Sequence, residues 1–126
     1  MDRKYIISAL LYALVGLIFG SFMAATHSHA HRVTHAHIML LGFVTTFIYA
    51  ICYKLWIKNA LTKVALLQFI FHQLGTLLML LGLFLIYGQI ISLEEIEPIM
   101  AFSAIAVIVA MVLMIYQFLA KNYEPQ

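Results

Sequence analysis

The sequence predicts an all-α integral membrane protein, a four-helix up-down bundle forming a single domain over residues 1–126, and three observations predict it. Of the 126 residues 65% are hydrophobic and only 10% charged. A soluble domain of this size could not hide that much apolar surface, because small domains keep much of their area in water. Four stretches, 5–23, 34–57, 64–91 and 99–119, come close to or exceed the roughly 20 apolar residues that a helix needs to cross the hydrocarbon layer. The connections between them are short, which makes consecutive helices antiparallel neighbours.

The first stretch follows Asp2-Arg3-Lys4 and contains Gly16-Leu17-Ile18-Phe19-Gly20, a GxxxG pattern that lets two helices approach closely. It is longer than the 7 to 15 residues of a typical signal-peptide core, so it is expected to stay as a span. The second stretch opens from His27-Ser28-His29-Ala30-His31-Arg32-Val33-Thr34-His35-Ala36-His37, which holds five of the six histidines. The third carries the sixth, His72, on a stripe with Gln68, Gly75, Met79 and Gly82, small and polar residues that mark a buried contact face. The fourth is predominantly apolar, and Glu94-Glu95-Ile96-Glu97 before it reads as a solvated loop.

Lysine and arginine set the orientation. Arg3, Lys4, Lys54, Lys58, Lys63 and Lys121 fall on one side of the bundle and Arg32 alone on the other, so the positive-inside rule puts both termini in the cytoplasm. The histidine cluster then faces outward, toward the periplasm of a bacterial inner membrane. Cys52 is the single cysteine and pairs with no other within the chain. No basic patch stands outside the helix ends, which argues against nucleic acid as a partner. There is no HExxH, no serine or cysteine nucleophile beside a base, and no glycine-rich phosphate loop.

Helical geometry divides the histidines. In a helical cluster His27, His31 and His35 would form an i, i+4, i+8 stripe, while His35 and His37 point about 200° apart. One metal is then poorly served by both from one regular helix; two sites, or one shared between subunits, are. Below His35 run Gly42, Thr46, Tyr49 and Tyr53, a seam suited to helix packing. Below His37 run Leu41, Val44, Ile48, Ile51 and Leu55, and a flat apolar cofactor with a central metal would satisfy both that aliphatic wall and the imidazole. Counting residues from Lys63 and Lys54 places His72 roughly 10 Å deeper than His37, which ranks it second as a ligand. His27, His29 and His31, together with His35, form an alternative external site for copper or zinc, since imidazole suits both metals.

Arg32-Val33-Thr34-His35-Ala36-His37-Ile38-Met39-Leu40-Leu41-Gly42-Phe43 resembles the opening of the second span in short four-span proteins related to subunit I of haem-copper oxidases (cytochrome c oxidase), which carry an HxHxNLLGW-like motif. Phe71-His72-Gln73-Leu74-Gly75 is similar to an HNLG-like motif in their third span. Met39, Phe43 and Gln73 depart from the Asn, Trp and Asn usual there. The resemblance implies a homotrimer that rebuilds the twelve-helix ring of the large subunit. It also implies haem b at the subunit interfaces, with His37 of one copy and His35 of its neighbour as axial ligands and His72 near the place of copper ligands. The expected function is that of a membrane cytochrome acting in electron transfer, with a redox partner, or in binding a diatomic gas such as O2 or NO. Complete oxygen reduction is not expected, because one chain does not supply a full oxidase site. Two other readings stand beside it: a copper- or zinc-binding membrane protein, and a structural assembly subunit.

Overall fold

A computed structural model describes residues 1–57, 60 and 62–120. Among them there are four rods and no strand: α1, Asp2–Ala25; α2, Arg32–Leu55; α3, Thr62–Tyr87; and α4, Leu93–Leu119. Each is long and apolar enough to cross a membrane, and 24 residues rise roughly 36 Å against a hydrocarbon layer of about 30 Å. The protein is therefore an integral membrane protein. Its outer surface agrees: Leu10, Leu14, Leu17 and Ile18 on α1 and Ile105, Ile108, Val112 and Ile115 on α4 are all more than half exposed, where lipid rather than water covers them. Lys58 and Lys121, which enter the charge count for orientation, lie outside the described residues.

The helices pack as two hairpins, α1 on α2 and α3 on α4. Glycines set the approach in both. A Cβ on Gly16 would run into Met39, and one on Gly20 would stand 2.8 Å from Cε1 of His35. The GxxxG face of α1 is thus the surface on which α2 lies. In the second hairpin a Cβ on Gly75 would meet the Ser103 carbonyl at 2.9 Å and Ala106 at 3.0 Å.

Between the hairpins a core of Tyr5, Tyr49, Tyr53, Ala65 and Met114 is threaded by hydrogen bonds. Tyr12 donates to Oε1 of Gln73 at 2.9 Å, Thr46 Oγ1 meets Nε2 of His72 at 2.7 Å, and Tyr49 Oη points at Sδ of Met111 at 3.7 Å. Tyr53 donates to Gln68 and accepts from Nε2 of Gln117 at 3.2 Å. Aliphatic contact gains little over lipid in a bilayer, so hydrogen bonds and close packing must hold these surfaces together.

Two local features differ from the sequence reading. Residues Ile38–Thr45 of α2 form a π-helical turn between α-helical Arg32–His37 and Thr46–Leu55. The hydroxyls of Thr45 and Thr46 reach back five residues, to the Leu40 and Leu41 carbonyls at 2.9 and 3.4 Å, and so follow the i→i+5 pattern of the turn. At an α-helical pitch Thr34 and Thr46 would stand about 120° apart. The wider turn brings Thr34, Ile38, Gly42 and Thr46 onto one buried face. The second difference is Glu94-Glu95-Ile96-Glu97, which is helix rather than loop. Ser92 accepts from the Glu95 backbone N–H at 3.4 Å and the Glu95 carboxylate accepts from the Ser92 N–H at 3.2 Å. This capping box starts α4 five residues before Pro98 and places the acids at the positive end of the helix dipole.

Candidate functional site: the histidines of the second and third spans

The chain leaves α1 at Thr26 and turns through His27, whose φ of 51° is left-handed. Helix resumes only at Arg32, with His31 at the cap. The stripe of His27, His31 and His35 conditional on a continuous helix is therefore interrupted, because the left-handed residue redirects the backbone. His27 and His29 are exposed. His31 is held by aromatic rings, stacked on Phe84 at 4.9 Å and 13° and edge-on to Phe19 at 5.5 Å, with Thr34 Oγ1 3.5 Å from its Nδ1. Among the described residues no three His, Cys, Asp or Glu side chains converge so as to hold a metal ion.

His35 and His37 lie on the first helical turns of α2 and go different ways. His35 enters the seam with α1 beside Gly20, and its Nδ1 is buried with no hydrogen-bond partner among the described residues. His37 is only half-buried, and its Nδ1–H donates to the Val33 carbonyl one turn back at 2.9 Å. A carbonyl can only accept, so Nδ1 carries a hydrogen in this bond. A backbone carbonyl on Nδ1 is the arrangement that orients an imidazole for a metal on the other nitrogen. Of the residues an unbroken α-helix would set below His37, Val44, Ile48 and Leu55 are exposed and Leu41 and Ile51 half-buried. The π turn rotates those beyond Leu41 by roughly 120° relative to His37, and Ile51 lines a groove against α1, so the continuous aliphatic wall expected below His37 is not kept.

His72 stands apart from both. It is fully buried and reaches Thr46, nine residues beyond His37 and hence about 14 Å along the rod. The Thr46 hydroxyl stands 2.7 Å from Nε2 of His72 and 3.4 Å from the Leu41 carbonyl, and Nδ1 of His72 is buried without a partner among the described residues. Tyr49 packs edge-on against the ring at 4.9 Å and Tyr5 lies at 6.2 Å. Tyr5 is itself stacked on Tyr53 at 5.6 Å. The hydroxyls of Tyr5 and Thr76 and the amide nitrogens of Gln68 and Gln73 are likewise buried and unpartnered among the described residues.

This tyrosine-rich core was only partly legible. Tyr49, Tyr53, Gln68 and His72 were placed on inward faces by their helical spacing, whereas Tyr5 and Gln117 near the helix ends carried no such mark. His37 thus presents a half-buried imidazole bonded through one nitrogen to the backbone, and His35 a second imidazole held by no hydrogen bond among the described residues. Within one subunit these two rings do not face a common point. Comparison with protein-family profiles, curated proteins and solved structures finds no match for this chain.

Proposed function

We propose that the protein is a b-type haem-binding membrane cytochrome, related to haem-copper oxidase subunit I as its two histidine motifs imply. In this reading it works as a homotrimer with both termini in the cytoplasm and His37 near the periplasmic surface of a bacterial inner membrane. The observation that carries the reading is the ring of His37. Its Nδ1 is tied to the Val33 carbonyl at 2.9 Å, while its Nε2 makes no hydrogen bond among the described residues on a half-buried ring inside a membrane span. An imidazole so placed in a bilayer wants a partner, and iron in an apolar macrocycle supplies one.

His37 of one subunit would hold the iron, and His35 of a neighbouring copy is the second ligand implied by the resemblance. The opposite headings of the two rings favour sharing across subunits over ligation within one. Haem, when bound, would supply one-electron chemistry or a coordination position for O2 or NO. This chain's residues fix the imidazole, set Leu41 one turn below it, and choose between the two roles through the number of rings on the metal. His72 enters as a packing and hydrogen-bonding residue, since Thr46 engages it at 2.7 Å.

The test is an absorbance spectrum of the protein purified from haem-replete cells, with its native mass in detergent. A Soret band that shifts on dithionite reduction, lost in His37→Ala and kept in His27→Ala, is expected on a trimer. Carbon monoxide should shift the reduced band only where one axial position is open. A colourless protein carrying copper or zinc, equal loss in the two variants, or a monomer that retains haem would overturn the proposal.

A further inference from the structure

At the end of the bundle that carries Arg3, Lys4 and Lys54, α1 and α2 part around a groove of about 410 Å³ lined by Asp2, Arg3, Ile6, Ala50, Ile51 and Lys54. The groove exists because Ala50 offers only a methyl group between Ile6 and Ile51. Its walls are apolar and its mouth is charged. One turn deeper on each wall stand Leu10 and Phe47, exposed by 56% and 36%, so the apolar furrow continues toward the bilayer centre.

The charges at the mouth are unevenly matched. Asp2 reaches Lys54 at 3.9 Å, with the two side chains 41% and 74% exposed, and so long and solvated a pair holds neither partner firmly. Arg3 makes no ion pair among the described residues. Two cations over one loosely held carboxylate leave net positive charge at the depth of the headgroups, and Lys4 adds to it from the next position. A guanidinium suits a phosphodiester geometrically, and basic pockets between membrane helices take anionic headgroups. A neutral ligand would use the walls and waste the mouth, whereas a soluble phosphate ester would do the reverse.

We propose that this groove binds one anionic phospholipid, its phosphate on Arg3 and Lys54 and one acyl chain laid over Ala50 toward Leu10 and Phe47. The site is independent of haem and lies at the opposite end of α2 from His37.

Native mass spectrometry of the whole protein, released from nanodiscs of phosphatidylcholine containing phosphatidylglycerol, tests the proposal. At about 1 kcal/mol for each basic residue near a headgroup, less the opposing Asp2, one retained phosphatidylglycerol with about fivefold preference over phosphatidylcholine is expected. Arg3→Gln with Lys54→Gln should reduce that preference toward unity. Ile51→Trp, which fills the groove from a partly exposed position, should lose both lipids while the circular dichroism spectrum stays unchanged. Four outcomes would each overturn the assignment. These are equal retention of the two lipids by the unaltered protein, a preference that survives the double substitution, displacement of lipid by soluble glycerol phosphate, and an Ile51→Trp protein that changes its oligomeric state but keeps its lipid. The last would mean that a second copy of the chain covers the groove.

Discussion

Replacing Thr46 with Val removes one hydroxyl and almost no volume, and it strips His72 of one of the hydrogen bonds that join the two hairpins. The bond is short, 2.7 Å, and both side chains are fully buried. Interhelical hydrogen bonds in membranes average about 0.6 kcal/mol and reach about 1.7. The Thr46–His72 bond belongs at the upper end, because Nδ1 of His72 already lacks a partner among the described residues and the substitution would leave the whole imidazole bare. A coupling of about 1.7 kcal/mol corresponds to roughly 15-fold in the folding equilibrium. A double-mutant cycle of Thr46→Val and His72→Phe, read by steric trapping or by titration with dodecyl sulfate in mixed micelles, isolates the term. Thr46→Val should cost about 1.7 kcal/mol in the unaltered protein and almost nothing when His72 is Phe. Additive costs would refute the claim that this pair tethers the hairpins. The same His72→Phe protein should retain its Soret band, since His72 is assigned no ligand role; loss of the band with the fold intact would reassign it.

Gly75→Ala should destabilise the second hairpin by about 1–3 kcal/mol, because the added methyl meets the Ser103 backbone carbonyl at 2.9 Å and overpacking has no flexible outlet. Gly82→Ala in the same helix should cost less, since its methyl would meet the pliant thioether of Met100; a chemical-denaturation series ranks the two. Tyr53→Phe leaves Gln68 and Gln117 without the hydroxyl they share and should cost about 1–3 kcal/mol in the same assay. Ser92→Ala removes the capping box of α4 and should cost about 1 kcal/mol, visible as faster amide exchange over residues 93–96; unchanged exchange there would count against the cap.

Much of this architecture could be read from residue order. The four apolar runs foretold the four rods, and helical spacing foretold that Gly42, Thr46, Tyr49 and Tyr53 face the bundle. Gly16 and Gly20 foretold a close helix approach. The start of α4 was also legible, since Ser92-Leu93-Glu94-Glu95 is an S-x-x-E capping signature; the acidic run concealed it by looking like loop. The π turn is harder. Its trace is the spacing of Thr34, Ile38, Gly42 and Thr46, four residues apart throughout, which an α-helix cannot keep on one face. Hydropathy carries no such phase information in a span where nearly every residue is apolar. The partners of His72 and Tyr53 were not legible at all, because they depend on the relative heights of helices that only packing fixes.

The polar links between the hairpins also act as an alignment gauge during assembly in the bilayer. If α2 slid one turn against α3, His72 would face Gly42 or Ala50 instead of Thr46 and would lose the hydroxyl that partners its Nε2. Tyr53 would lose Gln68 in the same step. Oily surfaces alone tolerate such sliding at small cost, so a handful of directional bonds is what lets this short, greasy chain distinguish its proper stagger from neighbouring ones.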